Sequence, residues 1–252
     1  MTSSVPFPQG NDSTLCLVLV GMNGSGKSAT GNTLLKRDNF TSRRSLIPTT
    51  QKTAWGKTIG RDILVIDTPP MILTDDTSKK NRLTSREAAM EINKCKEFAN
   101  KEGSGVDAIL LTFNVNERFT PEHERCIHEY EMLFGADFYQ YLIIVFTRKD
   151  QLTQDNMSLN QFLLQTPEFL TSLLRRCDNR VVAIDNITTD DDVKQRQVDE
   201  IIHIAVQLKR SHNSRPMPVQ LKRSHNSRPM PGDPSYSVAE MDNIICPMCS
   251  LM

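Results

Sequence analysis

No stretch of the 252-residue chain approaches the roughly 18 consecutive apolar residues that a membrane-spanning helix requires. The first residues, MTSSVPFPQGNDST, carry no basic segment leading into an apolar run, so neither a transmembrane helix nor a secretory signal is expected. Net charge is missing too: 30 Lys+Arg stand against 30 Asp+Glu. The cysteines (Cys16, Cys95, Cys126, Cys177, Cys246, Cys249) are scattered, and no second Cys or His pair at ligand spacing lies near Cys246 and Cys249. That argues against a zinc site and reads as reduced thiols in an intracellular protein. What remains, 38% hydrophobic and 24% charged residues, excludes disorder throughout. A core of roughly 190 residues would bury about 70% of the surface its unfolded chain exposes, enough for stability without disulfides or metal.

Apolar runs suited to buried strands of a mainly parallel sheet recur at 15–21 (LCLVLVG), 62–67, 108–115, 141–147 and 180–185. Helical spacing fills the intervals over Lys27–Leu35, Ser85–Lys101, Pro121–Leu133 and Leu159–Arg176. Thr120, Pro121, Glu122 and Glu124 form a helix start, with an N-cap, proline at the first position and acids in the first turn. Alternating strands and helices predict a three-layer α/β domain. A last helix over Asp190–Arg210 extends it at the C-terminal side. The expected organisation is a disordered N-terminus (1–13), the α/β domain (14–205), a basic linker (206–231) and a tail (232–252). The linker is a tandem repeat in which VQLKRSHNSRPMP at 206–218 recurs identically at 219–231, with Lys209, Arg210, Arg215, Lys222, Arg223 and Arg228 and no acid. Copies this short and polar cannot bury a hydrophobic face.

The first strand runs into Gly21-Met22-Asn23-Gly24-Ser25-Gly26-Lys27-Ser28, the pattern G-x-x-x-x-G-K-[ST] in a strand-to-helix context, with Ala29 opening the helix. Glycines there let successive backbone N–H groups wrap phosphates at a helix N-terminus, while Lys27 reaches the β- and γ-phosphates and the Ser28 hydroxyl ligates Mg²⁺. Asp67, ending the second strand before Thr68, Pro69 and Pro70, stands where a P-loop protein keeps the acid that holds Mg²⁺. Thr147-Arg148-Lys149-Asp150 follows the strand YLIIVF. A carboxylate at Asp150 can accept from guanine N1 and N2, whereas adenine presents a lone pair at N1. The expected ligand is therefore GTP or GDP rather than ATP, with Asn186 after the strand RVVAID a further candidate for the base or, equally, a turn former.

These motifs, with the stretch AILLTFNVNERFTPEHERCIHEYEMLFG, resemble the G domain of the GTPases of immunity-associated proteins, a family related to septins and plastid import receptors; the resemblance covers about Leu15–Leu208. It implies a Ras-like P-loop NTPase fold with family-specific elements, guanine nucleotide binding, slow hydrolysis and assembly into dimers or oligomers through the nucleotide face. It also implies a switch threonine over Mg²⁺, for which SLIPTTQKT offers Thr49, Thr50 and Thr53, with Thr50 preferred. Two departures bear on catalysis. Pro70 stands where most GTPases have a glycine whose N–H meets the γ-phosphate, and Met71, Ile72 and Leu73 include no glutamine to orient water. An arginine supplied by a second copy can contribute roughly 10³ to 10⁵ in rate. Arg118, in NERFTPE, is the candidate; the alternative is a solvated loop arginine.

The sequence closes on Cys246-Pro247-Met248-Cys249-Ser250-Leu251-Met252, and Cys249–Met252 fits a prenylation motif although Ser250 is not aliphatic. One lipid binds membranes only marginally. The basic repeat, attracted to an anionic leaflet, and palmitoylation of Cys246 offer the second signal. The repeat lacks aromatic residues for base stacking, so no nucleic-acid partner is expected. The sequence thus predicts a guanine nucleotide switch on the cytosolic face of a membrane, the alternative being a non-hydrolysing, GTP-dependent scaffold.

Overall fold

The structure, a computed structural model, describes residues 14–42, 50, 52–58, 62–71, 85–102, 105–212 and 217. The strands are β1 (Leu15–Gly21), β2 (Ala54–Lys57), β3 (Ile63–Asp67), β4 (Ala108–Asn114), β5 (Leu142–Thr147) and β6 (Val181–Ile184). They form one sheet in the order β2-β3-β1-β4-β5-β6, parallel except for the edge strand β2. Helices α1 (Lys27–Leu35), α2 (Ser85–Glu102), α3 (Pro121–Phe134), α4 (Lys149–Gln154), α5 (Leu159–Leu163), α6 (Glu168–Arg176) and α7 (Asp191–Ser211) follow in chain order.

The period of two along β1 decides the layers. Leu15, Leu17 and Leu19 face α1 and α7, where Leu34, Val198, Ile201 and Ala205 meet them. Cys16, Val18 and Val20 face the opposite side, against Ile92 and Cys95 of α2 and Ile127 of α3. Both faces of the strand are buried, which is why its sequence is a continuous apolar run rather than an alternation. Each such Leu or Val removed from water stabilises the fold by about 1.5–3 kcal/mol. The result is the three-layer α/β sandwich expected from the sequence. After β1 the chain passes to the β3 side of the sheet, and after the adjacent β4 it passes to the β5 side, so the two connections diverge and open a crevice at the carboxyl ends.

Three features differ from the sequence reading. The strand β2 was not anticipated; it has four residues and pairs antiparallel with β3, and its Trp55 is 48% exposed. The span Leu159–Arg176 is two helices, because Pro167 has no N–H and disfavours the helical conformation at Thr166. Thr166 instead donates to the Leu163 carbonyl at 2.8 Å.

The third difference is that the described residues of the first repeat copy, expected to be linker, are packed into the domain, with α7 running through Ser211 where the sequence reading ended the helix at Arg210. Val206, Leu208 and Lys209 are buried. The Lys209 ammonium donates to Thr14 O (2.8 Å) and pairs with Asp107 Oδ2 (3.2 Å), which also accepts the Cys16 N–H (2.8 Å). His212 stacks on Tyr141 with centroids 4.2 Å apart, and the Met217 N–H donates to Val106 O at 3.1 Å. The second copy and the carboxyl-terminal tail lie outside the described residues, as does the segment 1–13. Among the described residues no helix is long and apolar enough to cross a membrane.

Leaving one member of a buried ion pair alone costs about 3–5 kcal/mol. A chain ending at residue 205 removes Lys209 from the buried Asp107 carboxylate, and its urea midpoint is expected to fall below that of a chain ending at residue 218. Coincident unfolding curves would show the last turns of α7 to be dispensable.

Candidate functional site

The carboxyl ends of β1, β3, β4 and β5 converge on a cleft of about 1520 Å³. The loop that floors it depends on two glycines. Gly21 leaves β1 at φ 148°, where a Cβ would lie 2.7 Å from Ser25 Oγ and from Thr112 O. Gly26 caps α1 at φ 95°, where a Cβ would meet Thr147 Cγ2 at 2.8 Å. Both positions are left-handed or crowded, so only glycine fits without strain. Asn23 and Gly24 form the exposed rim, Ala29 lines the wall on the first turn of α1, and Ser25 turns inward to Thr112 Oγ1 at 2.6 Å.

Lys27 is 6% exposed, and its ammonium donates to Gly21 O (3.1 Å) and Met22 O (2.9 Å). Burial pushes its pKa down, against the pull of Asp67. Asp67 ends β3 at 1% exposure. Its Oδ2 accepts from Ser28 Oγ (2.7 Å) and Thr50 Oγ1 (3.4 Å), and the two hydroxyls lie 3.2 Å apart. Burial raises the carboxyl above its ordinary range, while Lys27 and the two hydroxyls draw it down. The structure therefore brings Ser28, Thr50 and Asp67 together. Thr53 points elsewhere, to Glu91, and Thr49 lies outside the described residues.

At the other end of the cleft, Thr147 Oγ1 donates to Ser25 O (2.8 Å), tying β5 to the phosphate loop. Arg148 lines the wall in a left-handed conformation, φ 66°, and starts α4. In the first turn of α4, Asp150 Oδ2 accepts from Gln151 at 2.8 Å. Asn186 reaches the wall with its amide already engaged, donating to Thr30 Oγ1 (3.1 Å) and accepting from Thr33 Oγ1 (2.8 Å). It pins the loop after β6 to α1, and its exposed neighbour Ile187 also lines the cleft.

The NERFTPE loop packs beside the phosphate loop. Phe119 stacks on His123 (centroids 4.8 Å apart) and lies 5.4 Å from Phe113 and 5.7 Å from Phe169. Thr120 N–H donates to His123 Nδ1 (3.1 Å), closing the start of α3. Glu117 lines the cleft, whereas Arg118 is exposed and stands outside it. Pro70 is part of the wall; Met71 turns into the core at 4% exposure.

Sequence reasoning missed Glu117, Thr112 and Tyr130. Tyr130 of α3 is fully buried, and its hydroxyl accepts the Gly21 N–H (2.9 Å) and donates to Gly21 O (3.1 Å). In the sequence it is one more large residue on the apolar stripe with Cys126, Ile127 and Phe134, and only a tyrosine in place of phenylalanine hints at a polar duty.

The donor set fits a nucleoside phosphate with a divalent cation. Among the described residues, the buried side-chain polar atoms without a protein partner are Asp67 Oδ1, Asp150 Oδ1 and His212 Nδ1. Neither aspartate itself lines the cleft: Asp67 is bonded to the lining residues Ser28 and Thr50, and Asp150 follows the lining residue Arg148 by two positions. No cluster of His, Cys, Asp and Glu among the described residues suffices for a metal alone. Mg²⁺ takes one or two carboxylates and completes its shell from phosphates and water, and Asp67 with the Ser28 and Thr50 hydroxyls would offer it such a partial set.

Comparison with known proteins gives this cleft a lineage. The model of the AIG1 family matches residues 15–229. The chain belongs to the AIG1 family. Immune-associated nucleotide-binding protein 4 of Arabidopsis thaliana is 32% identical over 219 residues, covering 85% of this chain and 64% of that protein. GTPase IMAP family member 8 of Mus musculus is 34% identical over 203 residues, covering 79% of this chain and 28% of that protein. This AIG1-family chain spans about three fifths of the length of its plant relatives. Among solved structures it resembles Toc33 of Arabidopsis thaliana in complex with GDP and Mg²⁺ (TM-score 0.55, 17% identity, 77% of this chain and 85% of that one). It also resembles a structure described as "Dimerization is important for the GTPase activity of chloroplast translocon components atToc33 and psToc159" (TM-score 0.59, 16% identity, 77% and 82%). At such identities the likeness is one of fold, here that of P-loop GTPase domains.

Proposed function

We propose that this AIG1-family chain is a guanine nucleotide switch with slow GTP hydrolysis, stimulated when two copies meet across their nucleotides, and tethered to membranes by its tail. The observation that carries the nucleotide reading is the pair of buried, unpartnered carboxylate oxygens, Asp67 Oδ1, whose carboxylate is bonded to the lining residues Ser28 and Thr50, and Asp150 Oδ1, in the helix that starts at the lining residue Arg148. A buried acceptor without a donor is destabilising by about 1–3 kcal/mol or more, so its retention in two places favours a ligand that supplies donors or a cation. Guanine offers N1–H and N2–H to Asp150, and Mg²⁺ suits Ser28, Thr50 and Asp67. When bound, the ion neutralises charge on the β- and γ-phosphate oxygens. The chain contributes the Lys27 ammonium and the loop N–H groups at the start of α1. Relatives carry the names nucleotide-binding protein and GTPase, and dimerisation is described as important for the GTPase activity of the chloroplast translocon components in one of the similar solved structures.

The scaffold reading has an observation of its own. Pro70 in the wall has no N–H, and Met71 is turned into the core, so neither residue orients an attacking water. Arg118, exposed on the loop beside the cleft, is free to reach a second copy. Hydrolysis per molecule of the full chain separates the two readings. It is expected to climb and saturate between nanomolar and tens of micromolar protein, and Arg118→Ala to abolish the climb while GTP still binds. A rate near zero throughout, with GTP bound, would establish the scaffold.

The tether rests on Cys249–Met252, Cys246 and the basic residues of the repeat other than Lys209, which is buried against Asp107. Removing residues 249–252 is expected to shift the protein from the membrane to the soluble fraction. Unchanged membrane association would contradict lipid anchoring at Cys249.

A further inference from the structure

Two consecutive residues of the NERFTPE loop carry opposite charges to different places. Glu117 lines the cleft, and its Oε1 is 3.7 Å from the position that a Cβ on Gly24 of the phosphate loop would take. Its N–H donates to Asn114 O at 3.0 Å, which fixes the turn after β4. Arg118 is exposed, stands outside the cleft and forms no ion pair among the described residues. The stacking of Phe119 on His123 holds the loop in this arrangement, so Arg118 does not fold back onto its neighbour.

The Glu117 carboxylate accepts no hydrogen bond from any described residue. His123 Nε2 is 3.8 Å away, beyond hydrogen-bond reach, and Lys27 is committed to Gly21 O and Met22 O. A carboxylate at the rim of a phosphate loop opposes the charge of the phosphates that the loop receives. Two-fold symmetry supplies the missing cation: in an isologous contact a loop meets its own copy, and residue i touches j as j touches i. We propose that Glu117 is a positioning residue that receives the Arg118 guanidinium of a second copy at the rim of the phosphate loop, the pair being made twice across the dimer. A guanidinium has five N–H donors, so it can hold the carboxylate and still donate to a phosphate oxygen. Glu117 thereby draws the second copy in and fixes the arginine beside the phosphates. Since the incoming charge relieves the repulsion, nucleotide binding and self-association strengthen each other. The inference rests on the reading above in which two copies meet across their nucleotides.

The test uses the full chain with Mg²⁺ and a non-hydrolysable GTP analogue, and reads self-association by sedimentation. Glu117→Arg and Arg118→Glu each set like charges against one another across the two-fold axis. Each alone is expected to raise the protein concentration needed for association by roughly tenfold or more. An equal mixture of the two variants recreates both pairs and is expected to associate almost as the unsubstituted chain does. A merely structural role for the loop predicts no such recovery, and a mixture no stronger than either variant alone would overturn the proposal. Glu117→Gln keeps the shape of the side chain and guards against misfolding of the reversals. It is expected to move the midpoint of the concentration dependence of GTP hydrolysis to roughly tenfold higher protein without weakening nucleotide binding; an unmoved midpoint would overturn the proposal. If the unsubstituted chain binds the analogue yet stays monomeric at every concentration, the dimer reading itself fails, an outcome distinct from association that the reversals leave unchanged.

Discussion

Asp67 is 1% exposed, yet one of its carboxylate oxygens meets no donor, and the way the fold tolerates this organises the nucleotide end of the molecule. The parallel pairing of β1 with β3 sets Asp67 level with Leu19, two residues before the phosphate loop begins. Ser28 on the first turn of α1 then reaches Oδ2, Thr50 joins it, and Lys27 supplies a compensating charge from the same turn. Around this group β3, the first turn of α1 and Thr50 come together on the phosphate side of the cleft. The energetic strain of a buried carboxylate beside a buried ammonium is tolerable for a site built to receive phosphate and a cation.

The second constraint is the loss of ordinary switch chemistry after β3. With proline in the wall and methionine in the core, the segment cannot report the γ-phosphate or aim water by the usual groups. The surroundings suggest where those duties have gone. Tyr130 of α3 holds both the N–H and the carbonyl of Gly21, and the loop carrying Glu117 and Arg118 is clamped by Phe119 and His123 beside the cleft. Helix α3 thus connects the inside of the nucleotide site with the surface that a second copy would meet.

Much of this was legible in the sequence. The five parallel strands were visible because burial on both faces demands unbroken apolar runs, and the phosphate loop because only a particular glycine and lysine spacing permits its backbone. The unread parts have physical reasons. Strand β2 is short and half-solvated, so AWGK leaves no periodic signal. Pro167 ends a helical pattern whose apolar spacing continues through it. The first repeat copy looked like linker because a Lys-Arg pair suggests solvent; Lys209 is buried only because Asp107 and the Thr14 carbonyl wait for it across the sheet. Asn186, a candidate base contact in the sequence, lines the cleft, and its bonds to Thr30 and Thr33 appear only once the loop after β6 is seen to reach α1. Tyr130 and Asp107 illustrate the general limit: the sequence shows that a polar atom is present, and the fold alone shows what it faces.

The central claim is that Asp150 reads guanine, and exchanging the base the site prefers tests it most directly. Asp150→Asn replaces one carboxylate oxygen with an NH₂ group, which opposes guanine N2–H and matches the carbonyl of xanthine. Titration of GTP and xanthosine triphosphate into the full chain and this variant, with Mg²⁺, is predicted to show GTP preferred by the unsubstituted chain. The variant is predicted to lose roughly tenfold to a hundredfold in GTP affinity and to favour xanthosine triphosphate. Equal affinities for the two nucleotides, unchanged by the substitution, would contradict the account.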